Sequence, residues 1–122
     1  MKSLRFHYFA PLLEVHFEPS LFRARRVVFD FETIFAEVRN CGAGKLLVFI
    51  AGRDLAISSM AFYALGTQWA ELAGNPYLPT ALVFRETGNV DLELLQMIFD
   101  NRQLPVYVSR SETAARLWLE RR

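Results

Sequence analysis

Leu4, Phe6 and Tyr8 alternate with Arg5 and His7, and Leu13, Val15 and Phe17 alternate with Glu14, His16 and Glu18. A period of two gives each run one buried and one wet face, which predicts two strands at or near a sheet edge. Pro11 falls between them and Pro19 ends the second, so the pair reads as a hairpin. Val27-Val28-Phe29 is a short apolar run that fits either a strand or the approach to a helix. From Phe31 the spacing changes. Phe31, Ile34, Phe35 and Val38 fall at i, i+3, i+4 and i+7, one stripe of a helix. Asp30 is placed to cap its start, and Gly42 to supply the left-handed residue at its end.

Leu46 to Ile50 is apolar at every position, as a central strand covered on both faces would be. A second helix is expected from Ser58 or Ser59, with Phe62, Leu65, Trp69 and Leu72 inward and Gly74-Asn75-Pro76 as its stop. Ala81-Leu82-Val83-Phe84 reads as another buried strand. Asn89 is then expected to cap a third helix carrying Val90, Leu94 and Ile98 beside Leu95 and Phe99. Pro105 to Val108 is a short strand. Ser109 and Glu112 form an S-x-x-E capping box for a last helix with Ala114, Leu117 and Trp118 facing inward. This order predicts an α/β fold: a four- or five-stranded mixed sheet, about four helices and right-handed crossovers. No repeat, low-complexity tract or linker interrupts it, so residues 1–122 are expected to form one domain.

Apolar residues are 52% of the chain, enough for a packed core and too many for disorder. The formal charge of +1, from 14 basic and 13 acidic side chains, offers no field to attract a polyanion. Arg23, Arg25 and Arg26 form the sole local basic run and read as a solvated strand or loop edge, so no nucleic-acid partner is expected. Cys41 stands alone, which excludes an internal disulfide and a cysteine metal site and suits a reducing compartment. Its expected role is a small filler at a helix exit. Arg5 and His7 break any leader-like run, and Leu46 to Ala51 falls far short of the roughly 18–20 apolar residues of a membrane span. A cytoplasmic chain without a transmembrane segment is expected.

Candidate chemistry is sparse. His7 and His16 sit on the polar faces of their strands. If these strands pair, the imidazoles approach each other with Glu14 or Glu18 nearby, a two-histidine, one-carboxylate pattern. Two exposed histidines on adjacent strands are the commoner arrangement, so no metal is expected. Cys41-Gly42-Ala43-Gly44-Lys45 fails the phosphate-loop pattern in spacing and in the residue after the lysine, and it precedes a strand rather than following one. Asp91 and Glu93 project roughly 200° apart on a helix and share no face. No Ser–His–Asp or Cys–His arrangement falls at the C-terminal ends of the parallel strands, so neither an enzyme nor a cofactor is expected. Phe22, Tyr63 and Tyr77 are candidates for a ligand mouth or a subunit contact.

One stretch resembles a known family. Leu46-Leu47-Val48-Phe49-Ile50-Ala51-Gly52-Arg53-Asp54-Leu55-Ala56-Ile57-Ser58-Ser59-Met60-Ala61-Phe62 runs without a gap alongside the strand-to-helix segment of the STAS domain of anti-sigma factor antagonists, V-V-L-D-L-S-G-V-x-F-I-D-S-S-G-L-G. Gly52 and the Ser58-Ser59 pair stand at matching places. Ala115-Arg116-Leu117-Trp118-Leu119 is similar to the last helix of the SpoIIAA-like group, and the likeness extends from about Leu13 onward. The family's Asp before the serine pair is Ile57 here, its following Gly is Met60, and its strand Asp is Phe49.

The resemblance implies a STAS-like fold and a phosphorylation site at Ser59, with Ser58 beside it, that toggles binding to a protein partner. Arg53 and Asp54 would lie in the same loop and contact the anion or partner. A phosphate there would meet unpaired backbone N–H groups and the positive end of the helix dipole. Simple N-capping by the two serines is the alternative reading of the same residues. The leading expectation is thus a non-catalytic regulatory or interaction module, with a homodimer left open. Its rival is a small-molecule or lipid-like ligand-binding domain, able to associate with a membrane surface, with a pocket between the 58–73 and 90–103 helices.

Overall fold

The computed structural model describes residues 3–18, 24–51, 63, 66, 67, 69, 71, 77–85 and 90–122, with side chains omitted at 3, 18 and 24–30. Strands β1 (Ser3–Phe9) and β2 (Leu12–Glu18) form an antiparallel hairpin with Phe6 opposite Val15, turning through a cis Ala10–Pro11 bond. Helix α1 (Ala24–Cys41) leads to β3 (Lys45–Ala51), followed by β4 (Thr80–Arg85), α2 (Leu92–Asn101), β5 (Val106–Ser109) and α3 (Glu112–Glu120). The strands lie in sequence order in a five-stranded mixed sheet, with β2 to β5 mutually parallel.

The α/β class and mixed sheet are as the pattern predicts. Three helices have both ends among the described residues, fewer than the four expected, while Tyr63, Gly66, Thr67, Trp69 and Glu71 carry helical backbone between β3 and β4. Residues 46–50 and 81–84 are neighbours in the sheet, with Leu47 opposite Ala81 and Phe49 opposite Val83. Both runs are buried throughout.

Right-handed crossovers that always step the same way leave their helices on one face. Packing follows that rule. Leu13, Val15, Phe17, Leu46, Val48, Leu82, Val106 and Val108 meet α1 through Phe31, Ile34, Phe35 and Val38, and α2 through Leu95, Ile98 and Phe99. Trp69 fills the centre, 4.9 Å from Phe35, 5.1 Å from Phe31 and 5.1 Å from Phe99 between ring centroids. The second face is covered by α3, whose Ala115 and Leu119 pack on Leu47, Phe49, Ala81 and Val83. Thr80, fully buried, donates its hydroxyl proton to the Leu78 carbonyl at 3.0 Å.

Several local expectations are corrected. Of the two readings open for Val27-Val28-Phe29 the helical one holds, the run lying inside α1, because positions 27 and 28 continue the 3.6-residue stripe backward from Phe31. Asp30 therefore lies inside α1 rather than at its cap, and Arg25 and Arg26 are on helix, not on a strand or loop edge. Gly42 closes α1 as expected, at φ 71 with its N–H on the Val38 carbonyl. The cap of α2 is Asp91, which accepts from Leu94 N–H at 3.0 Å, rather than Asn89, which lies outside the described residues. For α3 the cap is Ser111, accepting from Ala114 N–H at 3.1 Å, while Ser109 Oγ accepts from Ser111 N–H. The inner face of α3 is Ala115 and Leu119 rather than Ala114, Leu117 and Trp118: Leu117 is exposed, and Ala114 and Trp118 are half-buried.

Candidate functional site

Because α3 covers only the β3–β5 part of its face, Arg5, His7 and Phe9 of β1 remain exposed there, beside half-buried Glu14 and His16 of β2. This border gathers the charged side chains. Phe49, on β3, is its floor. The His16 ring stacks on it with centroids 4.7 Å apart, and the Arg85 guanidinium stands 4.1 Å from its centroid. The guanidinium over the π face is a cation–π contact, and the stacked imidazole adds ring-on-ring packing.

From α3, Arg116 reaches across the sheet to Glu14 at 3.2 Å and back along its own helix to Glu112 at 2.8 Å. Glu112 also accepts a hydrogen bond from Arg85. The hydrogen bond from Arg116 holds the Glu112 carboxyl below its ordinary value, with the Arg116 and Arg85 charges adding to it. Burial, helped by the positive charge of Arg5, lowers the His16 imidazole, against the opposing pull of Glu14. The group is thus two carboxylates clamped by two guanidiniums beside a histidine whose pKa is lowered.

Sequence reasoning brings His7 and His16 together, and the hairpin does so: their rings meet edge to face at 6.1 Å, with His16 Nε2 4.0 Å from Glu14 Oε1. Among the described residues no group of three His, Cys, Asp or Glu side chains could hold a metal ion. Cys41 is half-buried at the exit of α1, its thiol 3.8 Å from the Val38 carbonyl. Tyr63 and Tyr77 are both exposed, with Thr67 donating to the Tyr63 carbonyl at 2.8 Å. Phe22, Arg53, Asp54, Ser58 and Ser59 lie outside the described residues. Phe49, Arg85 and Arg116 were not singled out as site residues. Of the three, only Arg116 leaves a local signal, its spacing of four from Glu112; Phe49 and Arg85 join the site through sheet register.

Two clefts are relevant to ligands. One of about 180 Å³ is lined by Pro11, Leu12, Lys45, Arg116, Leu119 and Glu120. Lys45 bridges it by donating to the Leu119 carbonyl at 2.8 Å, at the negative end of α3. The other, about 490 Å³, follows the outer edge of β5 between α2 and α3. Between the helical residues Tyr63, Gly66, Thr67, Trp69 and Glu71 and α2 the packing is tight at Gly66, where an added Cβ would stand 2.5 Å from Ile98 Cγ2. The expected pocket between those helices does not open at that point. Among the described residues no helix is long and apolar enough to cross a membrane. Comparison with family models, curated proteins and solved structures gives no match.

Proposed function

We propose that this chain is a non-catalytic regulatory or interaction module of the STAS, SpoIIAA-like type, working in the cytoplasm on a protein partner through the strand-to-helix loop at Ser58-Ser59. One observation carries the reading. β3 is buried on both faces, flanked on both sides by parallel strands, and releases the chain at Ala51 beside Arg85. Loops that leave the C-terminal ends of central parallel strands are where open α/β sheets make their contacts. The charge network supports the non-catalytic part, since its carboxylates, Glu14 and Glu112, are committed to the Arg116 guanidinium.

The test is the intact mass of protein purified from its native host, with Ser59→Ala alongside. A fraction heavier by one phosphate that disappears in the variant supports the proposal. Unmodified protein across growth conditions, with partner binding unaffected by Ser59→Asp, overturns it.

The ligand-binding reading has one observation in its favour: the cleft at Pro11, Leu12 and Leu119 has apolar walls with Lys45 and Arg116 at its rim. At about 180 Å³ it is smaller than the roughly 300 Å³ at which pockets for small molecules begin, and the groove that exceeds this, about 490 Å³, lies along the β5 edge without Lys45 or Arg116 in its lining, so this reading ranks second. A thermal-shift series with short- and long-chain fatty acids tests it, and a flat response removes it.

A further inference from the structure

β5 is an edge strand, and its outward groups are not left to water. Thr80 N–H donates to the Pro105 carbonyl at 2.9 Å, so alternate residues of this segment face β4 and the polar groups of Val106 and Val108 face outward. There the Gln96 carboxamide meets both. Its Nε2 donates to the Val106 carbonyl at 2.8 Å, and its Oε1 accepts from Val108 N–H at 2.7 Å. A residue of a sixth parallel strand, standing opposite Tyr107, would make the same two bonds. Asp100 fixes the amide by accepting its other N–H at 3.0 Å.

We propose that Gln96 is an internal plug of the β5 edge, and that the surface it closes fits a second copy of this chain. This goes beyond the function proposed above and does not rest on it. The choice of occupant follows from the groups that are blocked. About a two-fold axis through Tyr107, antiparallel pairing sets the Val106 carbonyl of one copy against Val108 N–H of the other, and the reverse. The partial charges are complementary to themselves, and Gln96 consumes both. The strand adds to the hazard, because Val-Tyr-Val-Ser is uncharged, β-branched and aromatic, the composition that pairs edge to edge when nothing blunts it. The groove of about 490 Å³ along this edge gives the incoming strand access.

The experiment uses the full chain, with sedimentation velocity from 5 to 500 µM (roughly two decades, enough to reveal a tenfold change in affinity) and hydrogen exchange at the Val108 amide. Gln96→Leu keeps the side chain's bulk and loses both bonds, whereas Gln96→Glu keeps the acceptor and loses the donor. Gln96→Leu is expected to reach twice the wild-type mass with at least tenfold tighter self-association, and to protect the Val108 amide only when associated. Wild type should protect that amide at every concentration. Gln96→Leu at wild-type mass throughout, or a doubled mass with Val108 still exchanging, overturns the proposal. If either variant fails to fold, the wild-type amide decides: rapid exchange at Val108 shows that no plug is in place, and protection independent of concentration supports it.

Discussion

Gly66→Ala is a small change with a large expected effect, because the helical segment around residue 66 sits almost on the α2 backbone's side chains. The new Cβ would lie 2.5 Å from Ile98 Cγ2, about 1 Å inside the roughly 3.5–4.0 Å of an unstrained carbon–carbon contact. Ile98 has nowhere to go. It is 1% exposed, and a β-branched side chain in a helix has essentially one χ1 rotamer. Arg102 Cδ and Nε, at 3.5 Å from the same point, are in ordinary contact and add no strain. Overpacking of this kind costs about 1–3 kcal/mol, offset by about 1 kcal/mol of improved helix propensity. The net expectation is a loss of up to about 2 kcal/mol, or a fall in Tm of up to about 10 °C for a chain of this size. The assay is thermal and urea unfolding in two backgrounds. Ile98→Ala removes the clashing methyl, and although it costs about 2–5 kcal/mol by itself, Gly66→Ala should then cost nothing further. A rise in Tm for the single variant, or an equal loss in both backgrounds, refutes the reasoning.

Other outcomes follow from single contacts. His16 is lowered mainly by burial, so its folded pKa lies below 6.5 and the unfolded chain takes up the proton first. Stability should be independent of His16 above pH 6.5 and fall as pH drops from there toward the folded value; urea midpoints should show this slope in wild type and not in His16→Gln. Glu112, also lowered, keeps its contribution above pH 4.5 and loses it as pH falls through its folded value, so Glu112→Gln should flatten only that more acidic window. Ser111→Ala removes the cap of α3 and should cost about 1 kcal/mol in urea unfolding, whereas Ser109→Ala should cost less. Lys45→Met withdraws the cation from the Leu119 carbonyl at the end of α3 and should cost about 0.3–1 kcal/mol, a loss that shrinks as salt is raised.

The chain's own pattern carried the sheet. Period-two runs at 4–8 and 13–17 and wholly apolar runs at 46–50 and 81–84 became β1 to β4, because burial on one face or on two leaves a direct mark on residue choice. The stripe Phe31, Ile34, Phe35, Val38 likewise named the buried side of α1. Helix ends were less legible. Asn89 against Asp91, and Ser109 against Ser111, are choices between capping residues two positions apart that differ by a fraction of a kcal/mol.

Pairings across elements were decided by tertiary structure alone. Nothing local joins Glu14 to Arg116, or Gln96 to Val106 and Val108. These contacts depend on which face α3 covers and on which β5 groups point outward, and both are set by sheet order and register. A side chain's partner is thus a property of the assembled sheet, whereas its preference for burial is its own.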